Sequence, residues 1–359
     1  VSTTHHALRE RLAVLRGPDT PPRPLDARAL AALAANPGCR RRALMDAAGV
    51  DKGAVAEALG APARFGQSRF AFSRGHAFEA RVKADGCAEL LRLLGADGSR
   101  AEVPELGAAG PEGRAARTRL ALAEAPPGVW TLLDHPLLTL EVAGSTVFLE
   151  PDAVAVAPDG AWTVVEIKSF PILDGAADAA KVGAAARQAA VYVLALDAVE
   201  AGRARTEVLL VCPKDFSNLP TGSLVDVRKQ LSVTRRQLLR LTRIEDIAAG
   251  LSEGTTFDVC APRAVLTAAV DSVPAAYAPE CLSSCELAYH CRARAREADS
   301  VTALGRAVRS DLGELLTLSA VRAAAHSSAP TEDPAVLALR RATALRAEAL
   351  AALPPEQAS

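Results

Sequence analysis

The stretch Phe148 to Ser169, FLEPDAVAVAPDGAWTVVEIKS, constrains this chain more than any other. Pro158-Asp159-Gly160 suits a three-residue hairpin loop. Pro fixes φ at the first position, Asp tolerates the second, and Gly takes the left-handed third. With that loop Ala157 faces Ala161, and counting back along both strands sets Asp152 opposite Glu166. A two-residue Asp-Gly loop would slip the register by one and turn Asp152 to the other face.

Glu166 and Lys168 are two apart and share one face of their strand, and Asp152 lies on that same face. Opposed carboxylates repel unless a cation sits between them. Oxygen ligands from Asp and Glu suit Mg²⁺ or Mn²⁺. Such an ion polarises a phosphodiester and lowers the pKa of an attacking water. Lys168 can orient that water or stabilise charge developing on the phosphate. The lysine stands out because the chain otherwise prefers Arg: only six of its 41 basic residues are Lys. The plainer reading is an exposed hairpin with a polar face, since a bare D…ExK pattern is common. The apolar setting of Val164, Val165 and Ile167 favours a built site.

Around the hairpin, Asp26 to Asn36 reads as a capped helix stopped by Pro37-Gly38. Further helices are expected over 39–59 with a break near Gly49, over 77–94, and near 115–123. Strands are expected over 145–157, 161–169 and 206–212. A long Ala-rich helix should cover 176–200 and a basic helix 228–249, with two more near 300–325 and 333–352. The alternation predicts an α/β core with helical additions. The organisation expected is a flexible lead-in 1–27, an N-terminal helical region 28–75, a core 76–255, a cysteine-bearing region 256–299 and a helical tail 300–359.

Half of the 359 residues are hydrophobic and only 4% aromatic, so Ala, Leu and Val must build the core. No run of 18 apolar residues appears and no secretory-type stretch opens the chain, so a cytoplasmic protein without a membrane partner is expected. The net charge of -1 argues against a protein that coats nucleic acid. Arg228, Lys229, Arg235, Arg236, Arg240 and Arg243 nevertheless form an acid-free basic run, as do Arg40 to Arg42. Either is a phosphate-binding patch or a solvated face.

Glu150-Pro151-Asp152 and Glu166-Ile167-Lys168 resemble motifs II and III of the PD-(D/E)xK nucleases. Gln188-Ala-Ala-Val-Tyr192 resembles the QxxxY motif of the RecB-like branch, and its spacing puts both residues on one helix face. Upstream, Arg74-Gly75-His76-Ala77-Phe78-Glu79 resembles motif I. Glu79 follows His76 by three residues where relatives often use four. The resemblance covers residues 70–215. It implies a restriction-endonuclease-like core, with a mixed sheet between helices. Asp152, Glu166 and the Ile167 carbonyl would then hold Mg²⁺ or Mn²⁺, helped by His76 or Glu79. Lys168 would assist the water, and Gln188 and Tyr192 would position substrate or the lysine.

Seven cysteines in a chain with no export signal point to metal ligation over disulfides. Cys281, Cys285 and Cys291 are spaced C-x3-C-x5-C, a thiolate arrangement for Zn²⁺ or an iron–sulfur centre that needs a fourth ligand. The CRISPR-associated RecB-like nucleases and AddB-type nuclease domains are similar. They hold a [4Fe–4S] cluster on three C-terminal cysteines, usually spaced C-x2-C-x5-C, and one upstream of motif I. The resemblance implies Cys39 as that fourth ligand, with Cys87 the competitor. His290 is an alternative in a zinc site, and Cys212 and Cys260 read as small hydrophobes.

The expectation is therefore a metal-dependent DNA nuclease acting on single-stranded DNA or DNA ends, with an iron–sulfur staple, in repair, recombination or genome defence. The rivals are a DNA-binding assembly subunit that cleaves only with a partner, and a redox-sensing subunit. No GxxxxGK[ST] loop is present, so a helicase or other subunit of such a complex would be a separate chain.

Overall fold

The computed structural model describes residues 2–62, 69–96, 98–215 and 217–352. The chain is α/β, a mixed six-stranded sheet flanked by helices with a two-stranded sheet beside it. The strands are β1 (Ala101–Glu102), β2 (Trp130–Asp134), β3 (Leu138–Val142), β4 (Ser145–Leu149), β5 (Ala153–Val156), β6 (Trp162–Ile167), β7 (Glu207–Pro213) and β8 (Pro220–Asp226). The large sheet runs β1-β2-β5-β6-β7-β8, and β3 pairs with β4 alone.

β5 and β6 are the hairpin expected from the sequence. They run antiparallel, with Ala153 opposite Val165 and Val156 opposite Trp162. Gly160 has φ +80° and donates its N–H to the Ala157 carbonyl at 2.8 Å, while Ala157 N–H reaches the Ala161 carbonyl at 2.9 Å. The Asp159 carboxylate accepts the Ala161 N–H at 3.0 Å, locking the turn. One residue beyond Ala153, this register sets Asp152 level with Glu166.

β6 and β7 are parallel, so a crossover must join them. Helix Ala179–Val199 is that crossover. Period-two alternation sorts the strand side chains between its two sides. Val154, Val156, Trp162 and Val164 join the large apolar cluster around this helix. Ala153, Ala155, Val165 and Ile167 join a second cluster with Phe78, Val82, Leu90 and Leu91. The segment Lys181–Val199 is long and apolar enough, by length and composition, to cross a membrane, yet 56% of it is buried inside the protein. Apolar residues on all sides suit such a central core helix.

The structure departs from the sequence reading in several places. Residue 1 and residues 353–359 lie outside the described residues. The remainder of the segment read as a flexible lead-in contains helix Ser2–Arg16 and is docked. Leu15 is fully buried and its carbonyl accepts the Phe257 N–H at 2.7 Å. The helix expected over 77–94 is two, Arg69–Val82 and Ala84–Leu93, with left-handed Asp85, Gly86 and Cys87 after the junction. The strand expected over 145–157 is divided at Glu150–Asp152 into β4 and β5, which belong to different sheets. A central-strand proline has no N–H for the ladder, and Pro151 lies at that break. The basic helix ends at Leu238 and a short helix Ile244–Ala249 follows.

Residues of the first four expected regions, from Leu15 and Leu30 through Val164 to Cys285 and Cys291, contribute to one apolar cluster. The tail has its own small cluster of Val301, Leu312 and Val321.

Candidate active site

The site lies where β6 ends beside the first half of helix Ala179–Val199. Glu166 points to the helix side of the sheet and is only 1% exposed. Its Oε1 meets the Lys168 ammonium as an ion pair, and its Oε2 accepts no hydrogen bond among the described residues. Burial, reinforced by the nearby Asp152 charge and opposed by Lys168, pushes its carboxyl up to about 7. Burial also raises Asp152, against the pull of the Ile167 amide and Lys168. Ile167 donates its N–H to Asp152 Oδ2 at 2.6 Å. The two carboxylates and the lysine therefore converge as the register requires.

Lys168 Nζ donates to Gln188 Oε1 at 3.2 Å, Gln188 Nε2 donates to Tyr192 Oη at 3.2 Å, and Tyr192 Oη donates to the Glu150 carbonyl at 3.0 Å. One turn of helix separates Gln188 from Tyr192, so the relay runs along a single helix face. It aims the lysine and ties the β4–β5 connection to the helix. Burial holds the Tyr192 phenol well above its ordinary range, so it acts as a fixed donor.

Glu79 comes to the same place from helix Arg69–Val82, and its charge helps raise both Asp152 and Glu166. Its Oε1 lies 2.9 Å from His135 Nε2 and 2.5 Å from Lys83 Nζ. The His135 hydrogen bond, followed by Lys83, holds its carboxyl down at about 2. His76 is on the same helix but exposed, with no contact to these carboxylates among the described residues.

Sequence reasoning missed Lys83, Asp134, His135 and Arg114. Lys83 Nζ is 2.6 Å from Asp134 Oδ1 and 3.0 Å from His135 Nε2. Asp134 and Glu79 hold Lys83 above its usual value although burial, the largest influence, lowers it. His135 has φ +45°, follows the last residue of β2, and faces Glu150 through Nδ1 at 3.6 Å. Arg114 joins that end, donating to Glu150 Oε2 and the His135 carbonyl, each at 3.2 Å. The available signal was Trp130-Thr-Leu-Leu-Asp134, β-type residues before a His-Pro turn.

No family model and no curated protein matches this chain. One solved structure, titled "Crystal structure of SSO0001", aligns at 12% identity over 67% of this chain and 86% of that one. Its TM-score of 0.22 carries no argument about fold or activity.

The four expected cluster cysteines come from opposite ends of the chain to neighbouring positions, Cys39, Cys285 and Cys291 buried and Cys281 half-buried. Cys39 caps helix Arg40–Ala47, Cys281 lies in the 3-10 turn Pro279–Ser283, and Cys291 lies in helix Ala288–Glu297. All four are free thiols. Cys39 is near enough to help raise Cys281 and Cys291, and Cys291 helps raise Cys285, in each case after burial. Burial pushes Cys285 up to about 12. Arg41 Nη1 donates to Cys291 Sγ at 3.3 Å, Asn36 Nδ2 to Cys281 Sγ at 3.6 Å, and Arg42 Nη1 to the Ser284 carbonyl at 2.6 Å. Cys87 lies in the cluster with Phe78 and Leu90, and Cys212 is fully buried on the other face of β7, in a small cluster with Ala185 and Leu210. Cys260 is exposed. His290 turns to Asp271, Nε2 to Oδ1 at 2.9 Å. As the side chains stand, no group of three or more His, Cys, Asp or Glu among the described residues is gathered tightly enough to hold a metal ion.

The basic helix is not at this site. β8 runs antiparallel to β7 and ends at Asp226, level with Glu207 and the start of β6, so Arg228 begins at the far end of the sheet. Arg228, Arg235 and Arg243 are paired with Asp226, Asp197 and Glu245.

Proposed function

We propose that this chain is a Mg²⁺- or Mn²⁺-dependent DNA nuclease of the RecB-like PD-(D/E)xK type, with a restriction-endonuclease-like core and a [4Fe–4S] cluster on Cys39, Cys281, Cys285 and Cys291. The observation that carries the first part is Glu166. A buried carboxylate with one oxygen accepting no hydrogen bond, beside a second, half-buried carboxylate, is costly unless a cation joins it. One lysine contacts one of its oxygens and leaves the other unmatched.

Asp152, Glu166 and the Ile167 carbonyl are the ligand set, with Glu79 the fourth contributor in preference to the exposed His76. A divalent ion bound there supplies Lewis-acid polarisation of the scissile phosphate and a more acidic water. Asp152 is held for this role by the Ile167 N–H. Lys168, aimed by Gln188, orients the attacking water and offsets charge gathering on the phosphate oxygens. Tyr192 fixes Gln188 and so acts as a positioning residue. Single-stranded DNA or DNA ends are the proposed substrates.

Support for the second part is that four free thiols from segments some 240 residues apart lie near enough to act on one another's charge, with buried Arg41 and Arg42 beside them. Cationic side chains offset the negative charge of a thiolate cluster. Bound there, the cluster would staple the N-terminal helices to the C-terminal segment.

The test is DNA cleavage by anaerobically purified protein with Mn²⁺, beside Lys168→Ala and Asp152→Ala. Cleavage that both substitutions abolish supports the reading, and cleavage that survives both sinks it. DNA binding without cleavage would move the assignment to an assembly subunit that needs a partner.

A further inference from the structure

Lys83 lies at a point where three metal-type side chains meet. Its Nζ is 2.5 Å from Glu79 Oε1, 2.6 Å from Asp134 Oδ1 and 3.0 Å from His135 Nε2. Two carboxylates and an imidazole are the ligand chemistry of a Mn²⁺ site. The three acceptors match the three N–H donors of an ammonium group. His135 Nε2 accepts from Lys83 when the ring is neutral and donates to Glu79, 2.9 Å away, when it is protonated.

Glu79 belongs to both halves of the site. Its Oε1 binds Lys83, while its charge acts on Asp152 and Glu166. A carboxylate facing two cationic positions is how paired metal ions are held in two-metal phosphodiesterases. Here the second position is filled from within the chain. Lys83 is only 12% exposed and sits one residue past helix Arg69–Val82, whose Phe78 and Val82 are packed in the core. That anchoring keeps the ammonium at the acid cluster.

We infer that Lys83 is a built-in replacement for a second divalent cation, so that this site binds one metal ion and Glu79 bridges it to the Lys83 ammonium. The inference rests on the metal site proposed above. It predicts that removing the ammonium uncovers a second ion site made of Glu79, Asp134 and His135.

The experiment is Mn²⁺ binding, measured by calorimetry and by the loss of the free-ion paramagnetic resonance signal. It uses the full-length protein, Lys83→Met, Lys83→Gln and Lys83→Arg. Wild type and Lys83→Arg should take up about one equivalent, and the two neutral variants about two. Adding His135→Ala to Lys83→Met should remove the extra equivalent. Two equivalents in wild type, or one in both neutral variants, would overturn the inference. Failure of the underlying site reads differently: wild type would bind no Mn²⁺, or Asp152→Ala would leave its binding unchanged.

Discussion

Ile167 donates its backbone N–H to Asp152 Oδ2 at 2.6 Å, across the open end of the β5–β6 hairpin. That bond lies one residue past the last paired positions of the ladder, so the same register that builds the sheet also builds the site. Asp152, Glu166 and Lys168 depend on a turn six residues away from the nearest of them.

The turn is accordingly a sensitive point. Deleting Ala157 while the three-residue loop is kept sets Val156 opposite Ala161 and shifts β5 by one, turning Asp152 off the helix side of the sheet. The expected outcome is loss of divalent-ion binding. A milder change, Gly160→Val, puts a β-branched residue at φ +80° with its Cβ against the Arg203 guanidinium. It should cost about 1–2 kcal/mol, read from urea unfolding.

Stability without divalent ions should fall as pH rises. The Glu166 carboxyl moves from 4.5 in a free chain to about 7 in the fold. Between these values the folded state holds the extra proton, so its contribution is present below pH 4.5 and lost as pH climbs through 7. The shift corresponds to about 3 kcal/mol at most. Asp152, also raised, acts in the same direction. Chemical unfolding from pH 4.5 to 8 should show this slope, and Glu166→Gln should flatten it. Mn²⁺ should reverse it, binding more tightly as pH rises because the ion displaces the proton.

Glu79 carries the opposite sign. Its carboxyl is held at about 2, so its contribution is present above pH 4.5 and lost as pH falls through 2. His135→Ala removes the hydrogen bond that does most to hold it there and should raise the acid-unfolding midpoint of the protein, followed by circular dichroism.

Tyr192→Phe tests the relay. It deletes the donor to the Glu150 carbonyl and the acceptor from Gln188. A loss of about 1–3 kcal/mol in stability is expected from the two hydrogen bonds. Lys168 loses its guide without losing its charge, so the cleavage rate should drop less than in Lys168→Ala. Equal losses in the two variants would contradict a positioning role.

Cys39→Ser, Cys281→Ser, Cys285→Ser and Cys291→Ser should each remove the visible absorption and iron of an anaerobic preparation, whereas Cys87→Ser should keep both. Cys87 sits with Phe78 and Leu90 on the far side of the sheet, its thiol donating to the Lys83 carbonyl at 3.6 Å.

Much of this arrangement was legible in local chemistry. Pro158-Asp159-Gly160 specified its turn, and the turn specified which side chains met. Asp26 announced the helix it caps through the Ala29 N–H. Gln188 and Tyr192 gained their meaning from helical spacing. What escaped was set by long-range packing. Trp130–Asp134 carries β-type residues before a His-Pro turn, but its place beside β5 is set by pairing with a strand some 20 residues on. His135 and Lys83 are 52 residues apart and meet because two apolar clusters fix their elements on the sheet. The N-terminal segment looked loose because its polar residues outnumber its apolar ones, but buried Leu15 and the Arg16 bonds to the Thr20 and Ala48 carbonyls anchor its end.

In the proposed reading, Glu166 and Asp152 hold a divalent ion that drives DNA hydrolysis. Its most direct test is cleavage of end-labelled single-stranded and duplex DNA by wild type and Glu166→Gln across a Mn²⁺ titration. Gln keeps the shape of the buried side chain and removes its charge. Wild type should show metal-dependent cleavage and Glu166→Gln none at any Mn²⁺ concentration, with the variant still folded. Cleavage by Glu166→Gln at the wild-type rate would contradict it.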